Sequence, residues 1–530
     1  MLHATIGGYG ALIKRPLIVE DSPYAPAISS LDWVGPAYNF IELQWRGTGL
    51  SEGSLDTTGT QDQTDLSAFL GWACTQPWSN GNIGLYGFSA SAIVAYNAMH
   101  LPLPCVRSAS LMAGTVDLYR DLLDIGGIPN LLPGAYVEAA VGGETLVSGL
   151  TRLRTAPSSI PSAALGYVIS PLQVLANQTE DAFWQERTFK GDLDRIPILA
   201  DTSFYDVEPR GPFLAFNATK EYGSHLLVCG AHDGFPAGTP GPFPQYQNWF
   251  NHYLLGQPLS AANQPTVSLC LSNGSRERFL ADNLTRLTGT SWPLPDTQWT
   301  DLYLNSTKSG SVRSLNDGSL SLQPQADSAK QIYPFIPSEA TETDVHTMGV
   351  IGQDGLDQAA TAVPSLTDLA LSGPTSLTYT TPPLQNAINA VGPASLDVSV
   401  SSTEATTDLY VVVADVWPDG TAYPVATGSL RTSYPDVIRP LSLVDQGGDI
   451  VDPYSNFSRS EPAKPGTTRE YHVEILPMGN HFAAGHRIRV YLVGTPLDQL
   501  GAAPGVNALS IGGVAASRLL LPTDGSAVSF

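Results

Sequence analysis

The stretch Ile83-Gly84-Leu85-Tyr86-Gly87-Phe88-Ser89-Ala90-Ser91-Ala92-Ile93-Val94-Ala95 decides how the first half of this chain is read. A short apolar run ends at Gly-Phe-Ser-Ala-Ser, and a run of small residues at helical spacing follows. The order predicts a strand, a tight turn and a helix, with Ser89 at the apex. Such an elbow holds its serine in a strained backbone conformation, so the neighbours must be small. Gly87, Ala90 and Ser91 meet that need, although the usual G-x-S-x-G pattern has glycine where Ser91 stands. The turn lifts the Ser89 hydroxyl above the sheet edge. It also aims the first amides of the helix at one point, a ready site for an oxyanion. An ordinary strand-helix turn can hold a serine too, so the motif needs support from the rest of the chain.

Outward from the elbow, Arg15-Pro-Leu-Ile-Val-Glu20 and Phe40-Ile-Glu-Leu-Gln-Trp45 read as buried strands. Residues 62–76 carry the helical period, with Leu66, Phe69, Leu70 and Ala73 on one face. Downstream, strands at 108–112, 196–200 and 224–230 alternate with helices at 212–222 and 245–255. Strands alternating with helices imply a mostly parallel sheet with crossover helices. From 101 to 185, helical pieces alternate with Pro and Gly breaks, as in a helical cap over the sheet's C-terminal edge. After about residue 263 helices nearly vanish, and short alternating strands, beginning with Thr266–Leu271, read as an antiparallel sandwich or jelly roll. The predicted organisation is therefore a core at 1–100 and 186–262, a cap at 101–185 and a β-sandwich at 263–530. The glycine loop Arg46-Gly-Thr-Gly-Leu-Ser-Glu-Gly53 lacks the G-x-G-x-x-G spacing, and no helix opens from it, which argues against a dinucleotide site.

With 530 residues the chain needs several domains, and with 42% hydrophobic and 14% charged residues it is globular. A formal charge of −23 argues against nucleic acid and against electrostatic attachment to anionic lipid. No apolar run is long enough to span a bilayer, and Met1-Leu2-His3-Ala4 opens no signal-peptide pattern. Low charge density with abundant Ser, Thr, Gly and Pro favours an extracellular protein over a cytoplasmic one. Cys74, Cys105, Cys229 and Cys270 show no zinc spacing. Pairing Cys74 with Cys105 and Cys229 with Cys270 and four buried free thiols stay equally open.

Two further positions lie where a parallel sheet presents chemistry, just past the carboxyl ends of its strands. Asp206 follows one strand and His232 the next. The order Ser89…Asp206…His232 is that of an α/β-hydrolase triad. A serine hydroxyl is a poor nucleophile until a base takes its proton. His232 suits that task near neutral pH, and Asp206 would fix its tautomer and stabilise the imidazolium. Of the nine histidines, only His232 follows a buried strand in a Gly-bearing loop. Asp233 competes with Asp206, but a side chain adjacent in sequence rarely approaches the ring from the correct side.

These residues, with Asp21-Ser-Pro-Tyr24, the Arg46–Gly53 loop, Gln76-Pro-Trp-Ser-Asn-Gly81, Phe183-Trp184, Phe204-Tyr-Asp206, Gly230-Ala-His232 and Trp249–Gly256, resemble the CocE/NonD hydrolases. That group spans S15 X-Pro dipeptidyl-peptidases, cocaine esterase and α-amino-acid ester hydrolases. In the β-rich half, Ala414–Gly420 and Ala484–Val490 fit the family's C-terminal jelly roll. The resemblance implies a three-domain hydrolase without cofactor or metal, acting on a small ester or short peptide. It implies Ser89, Asp206 and His232 as the triad, and the Tyr24 hydroxyl and Ala90 N–H as the oxyanion hole. Phe88, Trp184 and Phe204 are expected to line the substrate pocket. Glu180 and Asp181 could meet a substrate α-amino group, or simply begin a solvated helix. Departures are Ala90 and Ser91 in place of Tyr and Gly, and Gln44 in place of an Asp. The family's strands upstream of the Tyr24 segment, before the strand at 15–20, are also expected to be missing here.

The reading is thus a serine hydrolase forming an acyl-enzyme, with X-Pro dipeptidyl aminopeptidase as the alternative within the enzyme class. A non-catalytic binding protein with a degenerate core and a carbohydrate-binding-like jelly roll is the alternative outside it. A homo-oligomer stays open.

Overall fold

The computed structural model describes residues 4–7, 13–24, 34–130, 153–154, 157–230, 243–259, 264–274, 278–279, 281–312, 316–337, 375–496 and 499–530. Its first sheet has nine strands: β1 (Ala4–Gly7), β2 (Arg15–Ser22), β3 (Asn39–Gln44), β4 (Ser79–Phe88), β5 (Val106–Met112), β6 (Ile198–Thr202), β7 (His225–Val228), β8 (Val267–Leu271) and β9 (Thr285–Gly289). They are ordered β1-β3-β2-β4-β5-β6-β7-β8-β9. Every pairing from β3 to β8 is parallel, while β1 and β9 pair antiparallel at the two edges. Parallel strands lie between layers of helix, so both of their faces are covered; β3 is buried at all six positions, including Asn39, Glu42 and Gln44.

Helices α1 (Thr60–Cys74) and α2 (Ala90–Ala98) cover one face. Leu66, Leu70 and Ala73 of α1 pack with Leu17, Val19 and Leu85 of the sheet. Each fully buried aliphatic side chain contributes roughly 1.5–3 kcal/mol, which fixes α1 across β2 and β4. The helix Phe243–Leu255 covers the other face through Tyr246, Trp249, Phe250 and Leu254, against Ile18, Phe40 and Tyr86.

Three expectations need correction. Residues 266–271 read as the first sandwich strand, yet β8 pairs parallel with β7 and β9 follows it in the same sheet. An alternating strand records that one face is buried, not which sheet it joins. The cap was expected from 101, but β5 lies inside the first sheet between β4 and β6, so the excursion starts only after Met112. Upstream of β2, the strand that leads to Tyr24, the described residues include one short strand, β1, on the edge of β3.

The second half is an all-β sandwich built from an eleven-stranded, largely antiparallel sheet. Its spine is the pair Ile388–Ser402 and Arg469–Phe482, paired from Ile388 with Phe482 to Val400 with Arg469, with a register shift between Gly392 and Ala394. Leu396, Val398, Val473 and Ile475 of this pair are fully buried in its core. The halves meet at Ser272, which bridges to Asn480; its N–H donates to the Gly479 carbonyl at 3.0 Å and its carbonyl accepts the His481 N–H at 2.7 Å. Cys74–Cys105 and Cys229–Cys270 are disulfide-bonded, with Cα atoms 5.9 and 5.0 Å apart. Among the described residues no helix is long and apolar enough to cross a membrane.

Candidate active site

Ser89 stands between β4 and α2 with φ 52° and ψ −120°. A non-glycine residue at such angles costs on the order of 1–3 kcal/mol, so its surroundings must impose the conformation. The Ser89 N–H donates to the Met112 carbonyl at 2.9 Å, and its carbonyl accepts the Ala92 and Ile93 N–H groups at 2.9 and 3.0 Å. Gly87 is required by space, because a Cβ there would lie 2.7 Å from the Ala92 nitrogen. Ser89 is 6% exposed at the sheet's C-terminal edge.

Ser91, the departure from the usual glycine, is fully buried, and its hydroxyl donates to Glu20 Oε1 at 3.2 Å. Glu20 ends the apolar run of β2. Burial pushes its carboxyl up to about 7, and the Ser91 hydrogen bond opposes that rise. A serine fits the elbow because a buried acceptor waits for its hydroxyl.

Tyr24 follows β2 in a turn where the Tyr24 N–H donates to Ser22 Oγ at 3.1 Å and Ser22 Oγ donates to the Tyr24 carbonyl at 3.2 Å. Its half-buried ring packs on the cluster of Trp45, Ala90 and Val94. Tyr24 thereby joins the cluster that includes Ala90, the residue that carries the first helical amide.

Asp206 lies four residues beyond β6 and is fully buried. Its N–H donates to the Ser203 carbonyl at 3.2 Å, and Oδ1 accepts the Glu208 N–H at 2.9 Å. Glu208 in turn accepts the Thr115 N–H at 2.8 Å. Position 232 lies outside the described residues. The chain leading to it leaves the sheet beside the Asp206 segment: the Cys229 N–H donates to the Thr202 carbonyl at 2.9 Å, and Ser203 Oγ donates to the Gly230 carbonyl. Since β4, β5, β6 and β7 are parallel neighbours, all three segments depart from one sheet edge.

The expected pocket residues fare differently. Phe88 is half-buried against the cluster beneath the helix Phe243–Leu255. Trp184 is fully buried; its indole N–H donates to the Asn177 carbonyl at 2.6 Å and its ring meets Tyr119 edge-on at 5.4 Å. Phe204, 1% exposed, packs beside the Phe213–Trp292 ring pair, with its centroid 5.9 Å from Phe213 and 6.1 Å from Trp292. Both aromatics are core residues. Glu180 is ion-paired with Arg120 at 2.5 Å, and Asp181 caps a short helix by accepting the Phe183 N–H at 2.9 Å. Both carboxylates are thus engaged by the protein itself. Sequence reasoning missed Glu20, whose only signal was an acid closing an apolar strand. Among the described residues no cluster of His, Cys, Asp and Glu suits a metal ion.

A mostly parallel sheet whose fourth strand turns through a strained serine into a helix defines an α/β-hydrolase. The family model of S15 X-Pro dipeptidyl-peptidases matches residues 13–233, and that of the X-Pro dipeptidyl-peptidase C-terminal non-catalytic domain matches 261–509. A cocaine esterase from Rhodococcus sp. (strain MB1 Bresler) is 23% identical over 90% of this chain and 85% of its own. A CocE/NonD family hydrolase from Staphylococcus aureus shares the fold with TM-score 0.76 at 18% identity, covering 98% of this chain and 91% of that one. An α-amino-acid ester hydrolase superposes with TM-score 0.73 at 17% identity over 98% and 94% of the two chains. The chain belongs to the CocE/NonD family of S15-type hydrolases.

Proposed function

We propose that the protein is a serine hydrolase that cleaves a small carboxylic ester through an acyl-enzyme. Ser89 Oγ attacks the acyl carbon and passes its proton to His232, which Asp206 orients. The Tyr24 hydroxyl and the Ala90 N–H hold the developing oxyanion. His232 then protonates the departing alcohol, and water repeats the sequence to release the acid. The observation that carries this reading is the strained Ser89 backbone at the strand–helix apex, with Tyr24 packed on the cluster of Trp45, Ala90 and Val94. A degenerate binding protein has no reason to retain that strain. Esters are favoured over X-Pro dipeptides because Arg120 and the Phe183 amide occupy the two carboxylates expected to greet an α-amino group. The ester-cleaving activity in the name of the Rhodococcus relative points the same way.

A fluorophosphonate probe should label Ser89, and Ser89→Ala should lose both labelling and p-nitrophenyl acetate hydrolysis. An Ala-Pro anilide should turn over far more slowly than the ester. Folded wild-type protein that refuses the probe, or an active Ser89→Ala variant, would overturn the assignment.

A further inference from the structure

One strand of the β-rich half, Arg469–Phe482, touches both flanks of the segment that bears Asp206. On the upstream flank, two residues before the acid, the Phe204 ring rests on Gly479. A Cβ at 479 would overlap that ring, which also packs against the Phe213–Trp292 pair. Gly479 has ordinary extended backbone, so the absence of a side chain serves space and not conformation. On the downstream flank, four residues after the acid, Arg210 Nε donates to Glu474 Oε1 at 2.6 Å. Arg210 is 5% exposed and also donates to Asp121 at 3.0 Å, so its place is fixed from both halves of the molecule. Between the flanks, Tyr205 is hydrogen-bonded to the Ser272 side chain, and Ser272 itself bridges to Asn480 of the same strand.

We propose that Gly479 and Glu474 are positioning residues that set the placement of Asp206, so that the β-rich half supplies part of the catalytic alignment. The inference rests on Asp206 being the triad acid. Misplacing a catalytic group by about 1 Å can lower a rate by about 10²-fold. Substrate binding, made elsewhere, should change little.

The test measures kcat and KM on p-nitrophenyl acetate for Gly479→Ala, Glu474→Gln, Asp206→Asn and the double variant Gly479→Ala/Asp206→Asn, in the full chain. Gly479→Ala should lose roughly 10- to 100-fold in kcat with KM within about two-fold. Glu474→Gln keeps its shape and folds more safely; it should lose several-fold in kcat in the same manner. In the Asp206→Asn background, Gly479→Ala should cost nothing further, because residues acting as one unit are not additive. Wild-type kcat in both folded single variants, an effect confined to KM, or a full further loss in the double variant would overturn the proposal. If Asp206→Asn itself keeps wild-type kcat, the proposal falls together with the triad assignment, and that control distinguishes the two failures.

Discussion

Replacing Glu20 by Gln should remove a pH-dependent loss of stability and leave the elbow's hydrogen bond in place. Glu20 is 6% exposed and accepts the Ser91 hydroxyl. Tyr86 of β4 faces it in register, as does Glu42 of β3, and the Asp21 carboxyl, itself held well above its ordinary range by burial, lies near it. Burial raises its carboxyl from 4.5 to about 7. A carboxyl raised in the folded state holds a proton that the unfolded chain releases. Its contribution is therefore neutral below about pH 4.5, grows steadily more unfavourable up to about pH 7, and is constant above that. At 1.36 kcal/mol per pH unit, the displacement amounts to about 3 kcal/mol of stability lost across this window. The amide of Glu20→Gln can still accept from Ser91 but never ionises. The stability difference between variant and wild type should thus shift by about 3 kcal/mol in the variant's favour from pH 4 to pH 8. Thermal unfolding of both proteins across that range reads it out, since acids remote from Glu20 cancel in the comparison and relief of the neighbouring Asp21 acts in the same direction. Each kcal/mol is worth a few degrees in a cooperative unit of this size, so the two melting curves should separate by several degrees as pH rises. A difference that stays flat from pH 4 to pH 8 would refute a proton held on Glu20.

Two further outcomes follow from the site. Tyr24→Phe keeps the ring packed on the cluster of Trp45, Ala90 and Val94 and removes only the donor, so kcat should fall by about 10²- to 10³-fold with KM little changed; steady-state kinetics on an activated ester checks this. Glu180→Gln should destabilise the protein by about 1–3 kcal/mol, because Arg120 loses its closest carboxylate partner while buried. The same variant should leave the rate ratio between an α-amino ester and its des-amino analogue unchanged. A changed ratio would return Glu180 to the substrate pocket.

The fold was most legible where local chemistry has a single solution. Gly87, Ser89 and the small residues after it announce the elbow, because few sequences tolerate that turn. The helical stripe through Leu66, Leu70 and Ala73 gave α1 to within a few residues. The strand that leads to Asp206 was legible as well, and Ile198–Thr202 is buried throughout. What stayed hidden depends on partners distant in sequence. Glu180 reads as a free acid until Arg120, 60 residues upstream, is folded beside it. Trp184 and Phe204 read as pocket aromatics, because an aromatic residue looks the same lining a cavity or filling a core. Gly479 carried no signal at all, since the ring that demands it lies in the other half of the chain.

The membership of β8 and β9 in the first sheet has a practical side. Composition suggests a natural cut near residue 262, where helices give way to strands. A fragment ending there would strip two strands from the hydrolase sheet and leave β7 as a bare edge. Unpaired strand edges recruit other chains, so such a fragment should accumulate as aggregate. The seam between the halves is therefore a poor site for dissection or for grafting one relative's tail onto another's core. Any exchange has to carry the β8–β9 ribbon along with the catalytic part.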